Sequence, residues 1–484
     1  MNALALTLAC PLLGCVLLAL TGARRRAAEA NVAISLCTFV ASIALTAQVM
    51  AEGPLLVWHE QFFVGPFNVF LVVLTSFVGL TTAVFSRPYM RIETHRGRLT
   101  PARMRLYHSM YQLFMATMLV ALLTNNLGIL WVAMEMATLS TVLLVSLYRT
   151  PASLEAAWKY FILCGVGIAQ ALFGTVLLYF AAGKVLGTQG EAALLWTHLN
   201  AVKGQLEPTV LALAFVFLLV GYGTKVGMAP LHNWLPDAHS EGPTPVSAVL
   251  SGLLLNVALY AVVRCKVLVD GAVPGGLAGN LMMGFGLLSL LLATLFLWRQ
   301  KDVKRLFAYS SIEHMGIATF AFGMGGPVAN FAALLHLTVH SLTKSGIFFV
   351  VGHATQKAGT QDMDGIRGLI SLSPRIGWGL MLGTLAILGM PPFGVFASEF
   401  LILTTAMHEH PWATPLLVLA LAMAFAAIFR RVQTMVFGEH DLMPLPHRPS
   451  LLPVFAHLAL VLCLGLYIPP VLAQWYRLAA AMIG

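Results

Sequence analysis

Charge is what this chain has least of. Asp, Glu, Lys and Arg make up only 10% of its 484 residues, against about 25% in soluble globular domains, which excludes an ordinary soluble fold. Cysteine is scarce as well. Cys10, Cys15, Cys37, Cys164, Cys265 and Cys463 are scattered, mostly within apolar runs, with no metal-ligand or redox spacing, so they read as small core residues rather than iron–sulfur ligands. No Gly-rich phosphate loop follows a strand, and no Ser/His/Asp arrangement is recognisable, which leaves phosphoryl-transfer and hydrolytic chemistry without a motif.

Apolar length is what the chain has in excess. Hydrophobic residues make up 59% of it, and runs long enough to cross a ~30 Å hydrocarbon layer recur from end to end. Divided at polar or Gly/Pro breaks, they give about fourteen spans near 3–21, 31–50, 66–86, 109–125, 128–148, 158–182, 209–227, 245–263, 280–298, 304–324, 329–352, 376–409, 412–436 and 451–472. The expected fold is all-α and polytopic.

The net charge of +9 does not point to nucleic acid, because the basic residues lie in short loops rather than on one polar face. They report topology instead. Alternating sides from an outside N-terminus puts Arg24 to Arg26, Arg87 to Arg105, Arg149 to Lys159, Arg299 to Arg305, Lys357 to Arg375 and Arg430 to Arg448 on one side, 21 of the 28 basic residues. Lys184, Lys203, Arg264, Lys266 and Arg477 fall opposite. The rich side is then cytoplasmic and both termini lie outside. A cleaved signal peptide over Met1 to Leu20 is disfavoured, because Arg24, Arg25 and Arg26 follow the apolar run and no basic residue precedes it. The same absence argues against lipoprotein processing at Cys10.

Two spans carry helix breakers in related places. Gly221, Gly223, Gly227 and Pro230 punctuate the seventh around Lys225, and Gly389-Met390-Pro391-Pro392-Phe393-Gly394 splits the twelfth just before Glu399. Proline removes a backbone donor, and the freed carbonyls must be buried in protein or line a wet cavity. Paired broken helices mark inverted-repeat transporters. The expected division is an N-terminal three-helix segment (1–108), two five-helix inverted repeats (109–265, spans 4 to 8, and 280–437, spans 9 to 13) and a C-terminal span (438–484), with helices 7 and 12 broken.

Four ionisable residues, Glu135, Lys225, Lys344 and Glu399, stand deep in apolar spans. Each charge at the bilayer centre costs roughly 2.5–3.5 kcal/mol on insertion scales, so such residues face the bundle interior and mark ion or proton paths. Glu135 has a simpler reading as a carboxylate capped by Thr138 one turn on, and Lys225 is its natural partner. Burial and pairing pull proton affinity in opposite directions, so joining or separating such a pair can move a proton. His336, His340 and Lys344 recur every four residues and share one helix face. Packing histidines bonded to hydroxyls such as Thr343 are the plain alternative to a relay. Zinc is not expected there, since no Glu follows His336 and no third ligand is evident.

The run from Gly227-Met228-Ala229-Pro230-Leu231-His232-Asn233-Trp234 through Pro236-Asp237-Ala238-His239-Ser240-Glu241-Gly242-Pro243-Thr244-Pro245 closely resembles the signature of the antiporter-like subunits shared by respiratory complex I, membrane-bound hydrogenases and Mrp sodium/proton antiporters. Asp302-Val303-Lys304-Arg305-Leu306-Phe307 with Ser311-Ile312-Glu313-His314-Met315-Gly316 resembles the start of that family's tenth helix. The His336/His340/Lys344 stripe resembles its eleventh, and Glu399 stands where the family carries a terminal acid or Lys. The resemblance implies a proton pathway through Glu135, Lys225, His232, Asn256, His336, His340, Lys344 and Glu399. Asn256 is a departure, because many complex I members carry Lys there, and this puts a central Lys relay in question. Together with Ser311 to Gly316 and Pro391 to Phe400, it looks most like the F subunit of hydrogenase 4-type complexes. The end of the chain at Gly484, soon after the last span, is unlike the largest complex I antiporter subunit with its long lateral helix.

The resemblance implies a proton-translocating subunit of a membrane-bound hydrogenase in a bacterial or archaeal inner membrane. It implies no cofactor in this chain, a NiFe centre and iron–sulfur clusters in peripheral partner subunits, and other membrane subunits and lipid, but no nucleic acid, as partners. The alternatives are a complex I or Mrp antiporter subunit with the same path, and a non-conducting scaffold. A scaffold would gain stability by losing its buried charges.

Overall fold

The computed structural model describes residues 2–187, 190–438 and 449–484. Arg448 and most of the expected 430–448 loop lie outside them. In chain order the helices are α1 (Asn2–Thr21), α2 (Ala27–Glu52), α3 (Pro66–His95), α4 (Pro101–Leu123), α5 (Leu127–Val145), α6 (Pro151–Leu186), α7 (Trp196–Val202), α8 (Pro208–Val226), α9 (Trp234–Glu241), α10 (Thr244–Val249), α11 (Leu255–Ala272), α12 (Leu277–Leu297), α13 (Val303–Met324), α14 (Gly326–Ala358), α15 (Leu369–Leu372), α16 (Pro374–Ile387), α17 (Gly394–Glu409), α18 (Thr414–Phe437), α19 (Leu452–Leu466) and α20 (Pro470–Ile483). Between α2 and α3, β1 (Leu55–Val57) and β2 (Phe62–Val64) pair antiparallel with Leu55 opposite Val64. This small hairpin is an addition to the expected all-α fold, and the two strands are too short for a periodicity reading to find.

Hydrocarbon offers no partner for a backbone N–H or C=O, so the spans are helices whose ends are capped from within. Asn126 accepts from the amides of Gly128 and Ile129 to start α5, and Asp302 does the same for Lys304 and Arg305 at α13. Prolines open α3, α4, α6 and α8, where a missing N–H costs nothing.

Eleven helices among the described residues are long and apolar enough to span, and twelve if the bent pair α19 and α20, at 80° to each other, counts as one. Two of the fourteen expected spans fall outside that count for physical reasons. α13 is 22 residues long but carries Ser310, Ser311, Glu313 and His314 along its middle, and the twelfth is divided into α16 and α17, each too short to cross alone.

Burial sorts the spans into centre and rim. The apolar windows of the stretch Thr244–Ala272 and of helix α14 are wholly buried by their neighbours, whereas α1, α2 and α18 bury only 33% of theirs. The rim faces carry Leu13, Leu20, Trp158 and Ile162 outward, as lipid-facing surfaces do. α14 is therefore the helix against which the polar interior is assembled.

Both expected breaks are present. α8 ends on Gly227, whose φ of +82° suits glycine alone without strain. Trp234 Nε1 donates to the Thr224 carbonyl (2.8 Å) and the Ala229 amide to Ser289 Oγ (2.8 Å), so backbone groups freed by the break find partners in protein. The second break runs from the end of α16 to Gly394, where α17 begins. A further irregularity was not foreseen: Leu250 to Leu254, between α10 and α11, is π-helical, a form often found at functional sites.

Candidate functional site

The first cluster joins α5 and α8. Lys225, in the last turn of α8 and 1% exposed, donates to Thr138 Oγ1, and its Nζ lies 4.0 Å from Glu135 Oε2. Thr138, which the plain alternative reading makes a cap for Glu135, instead serves the lysine. The Glu135 side chain retains 22% exposure on the rim of α5, and its Oε2 has no hydrogen-bond partner among the described residues. The carboxylate therefore holds the lysine by charge at a distance that a small rotation would change, while the threonine fixes the ammonium.

The second cluster lies between α13, α14 and α17. His336, His340 and Lys344 are fully buried on one face of α14. His314 of α13 places Nδ1 3.2 Å from His336 Nε2 and 3.7 Å from Glu399 Oε1. His336 Nδ1 is 2.9 Å from Ser398 Oγ. Ser398 Oγ also donates to the Val395 carbonyl (2.8 Å), so the His336 ring is held between the Ser398 hydroxyl and the His314 ring. The His340 ring lies 5.6 Å from that of His314, with neither nitrogen partnered among the described residues. At the far end of the stripe, Lys344 Nζ donates to the Phe307 carbonyl (3.1 Å). The spatial order is Lys344, His340, His314 with His336, then Glu399, so the histidines lie between Lys344 and Glu399.

Gly227 packs toward Ile312, the neighbour of Glu313 on α13. Asn256 of α11 sits beside the second cluster, donating to Ser341 Oγ (2.6 Å) on α14, with its Oδ1 unpartnered among the described residues. His232 stands apart against Phe296 and Tyr309, at 5.9 Å and 6.1 Å, with both ring nitrogens unpartnered among the described residues.

Sequence reasoning left out Glu313 and His314 as pathway groups, although both stood in the Ser311 to Gly316 run. The signal was there: two adjacent ionisable residues inside an apolar span. It also placed Lys304 in a solvent loop. The ammonium is buried and donates to the carbonyls of Ser240 (2.9 Å) and Gly242 (2.5 Å), because α13 begins inside the protein beneath α9. His239 on α9 is equally enclosed, with neither nitrogen partnered among the described residues. Among those residues no three His, Cys, Asp or Glu side chains gather as metal ligands.

Gly389 sets the position of Glu399. It adopts a φ of +65° within the second break, and a Cβ there would collide with Glu399 Oε2. Gly389→Ala is therefore expected to displace the carboxylate from His314. Proton translocation should fall severalfold in complexes whose subunit content, read by native gel, is unchanged.

Residues 124–426 match the family model for NADH:quinone oxidoreductase/Mrp antiporter, TM. The chain belongs to this family of antiporter-like membrane subunits. Among its relatives, the hydrogenase-4 component F homolog of Methylacidiphilum infernorum is 48% identical over 473 residues, covering 98% of each chain. A subunit of an archaeal membrane-bound sulfane sulfur reductase superposes with a TM-score of 0.90 at 24% identity, covering 100% of this chain and 98% of that one. One from the Mrp complex of Dietzia sp. DQ12-45-1b gives 0.86 at 20%, covering 99% and 97%. These two likenesses establish the fold of the antiporter-like subunit across different membrane complexes.

Proposed function

We propose that this antiporter-like subunit conducts protons in a hydrogenase 4-type membrane complex. Glu135 and Lys225 form the switch, Lys344 loads the path, the three histidines carry the proton, and Glu399 exchanges it at the far end. One observation carries the reading: Lys344, His340, His336, His314 and Glu399 form a buried series of ionisable groups around α14, with His314 within reach of His336 and Glu399 and its ring beside that of His340. Several of its polar atoms lack partners among the described residues. Each such atom costs about 1–3 kcal/mol of stability, which a pure scaffold has no reason to keep. Asn256 and His232 stand at the side of this path, where an amide or a neutral ring orients water.

The full-length likeness to a hydrogenase-4 component F homolog favours hydrogenase partners, with a NiFe centre and iron–sulfur clusters in peripheral subunits. The matched breaks after Lys225 and before Glu399 support two inverted repeats over 109–265 and 280–437. The arginine-rich loops support an inner-membrane orientation with both termini outside. A second reading keeps the same path in an NADH–quinone or Mrp-type complex, and the family's own description supports it.

Mass spectrometry of the complex purified through a tag on this chain separates the readings. Recovery of a nickel-containing hydrogenase with iron–sulfur partners is the expected result. Recovery of only Mrp-like or quinone-reductase partners moves the assignment to the second reading.

A further inference from the structure

A cavity of about 970 Å³ opens where the turn between α1 and α2 meets the ends of α3 and α4. Arg24, Arg25, Arg26, Arg87 and Arg91 line it, with Met90, Met104 and Ala28 as its apolar part. This lies on the arginine-rich side of the membrane, away from both clusters of the proton path. Arg91 pairs with Glu29, while Arg24, Arg25 and Arg26 pair with no carboxylate among the described residues. Five guanidinium groups around one cavity, with a single carboxylate among its lining residues, set up a field that only an anion relieves.

Two further observations point to what fills it. His108 is 2% exposed, lines the cavity and leaves Nδ1 without a partner among the described residues, so the floor carries a polar atom that a headgroup can meet. Below the arginines, α1 presents Leu13, Val16, Leu17 and Leu20 outward at 68%, 60%, 49% and 77% exposure. That apolar face ends at Leu20, two residues before Gly22 of the cavity lining, so an occupant whose headgroup fills the cavity has an apolar helix face close by for its chains. The volume is near the upper end of small-molecule sites, roughly 300–1,000 Å³, and well beyond a single phosphate. Basic pockets between spans on the cytoplasmic side are suited to anionic lipid headgroups.

We infer that this cavity is a binding site for an anionic phospholipid. Its phosphates lie among Arg24, Arg25, Arg26 and Arg87, and its acyl chains run along α1. The site anchors the three N-terminal spans, of which α1 and α2 bury little against the rest of the protein.

Native mass spectrometry of the purified complex, delipidated and then titrated with phosphatidylglycerol, cardiolipin or phosphatidylcholine, tests it with a readout independent of proton movement. The wild type should retain the anionic lipids over phosphatidylcholine. The double variant Arg25→Gln/Arg87→Gln should bind them roughly 5-fold more weakly for each arginine removed. Arg299→Gln, an arginine of another loop on the same side, should bind as wild type. Because the substituted side chains are exposed, the melting temperature of the delipidated double variant should match wild type, which separates lost binding from lost folding. Equal retention of phosphatidylcholine, equal binding by the double variant, or full displacement of lipid by millimolar inorganic phosphate or by an acidic peptide would overturn the assignment.

Discussion

A complex carrying Lys225→Ala is expected to assemble with its partners and to move no protons above the leak rate. The reason lies in the first cluster. Lys225 is the one group there that is both fully buried and held by two kinds of contact, a hydrogen bond to Thr138 and the charge of Glu135 at 4.0 Å. Truncation leaves Glu135, which keeps 22% exposure and can take up a proton, so the penalty of about 3–5 kcal/mol for a stranded buried charge does not apply in full and the fold persists. Lys225→Arg sharpens the test. A guanidinium keeps the charge but stays protonated, so an arginine that pairs with Glu135 still cannot release a proton. Both variants should be silent in a dye assay of vesicle acidification, and a pumping Lys225→Arg complex would show that charge alone suffices.

Glu399→Gln is expected to cut translocation by roughly 10²-fold, the scale of losing one positioned proton-transfer group, at nearly unchanged stability. Glutamine fills the same volume beside Gly389 and offers an amide N–H or oxygen to His314, but it exchanges no proton with that ring, 3.7 Å away in the native protein. The histidines upstream keep their own contacts, since His336 is held by Ser398 rather than by Glu399. Redox turnover of the partner subunits should persist at a reduced rate, with fewer protons moved per electron. Unchanged stoichiometry in Glu399→Gln would remove Glu399 from the path.

Much of this was legible in the sequence because a bilayer makes strong demands. Every span must be apolar and helical, so composition and breaks gave the spans to within a few residues for α1, α8 and α12. Elsewhere the reading stopped at charge: α3 runs on past Arg87 to His95, and α11 past Arg264 to Ala272, since helices continue into the headgroup region where arginines are at home. Arg264 shows why side chains there are hard to place. It donates to the Thr124 carbonyl (2.6 Å) with the Trp196 ring at 5.0 Å, both far along the chain, and with the Tyr260 ring of its own helix at 5.6 Å.

The candidate site was legible by type and not by arrangement. Four-residue spacing places His336, His340 and Lys344 on one helix face, but nothing local says that His314 from another helix stacks on His336 at 5.2 Å or that Thr138 takes the Lys225 ammonium. Such pairings depend on how helices cross, which single-sequence periodicity does not contain. Glu313 and His314 were overlooked because they sat in a recognised motif, and their burial makes them part of the interior rather than of a surface signature.

The most direct test of the central claim is the number of protons delivered per electron by the purified complex in sealed liposomes, wild type against Lys344→Met. Methionine fills the lysine's space beside Phe307 without a charge or a proton. A wild-type complex whose acidification collapses on adding a protonophore, and a Lys344→Met complex that turns over with a lower proton-to-electron ratio, are the predicted results. An unchanged ratio in Lys344→Met would contradict conduction along α14.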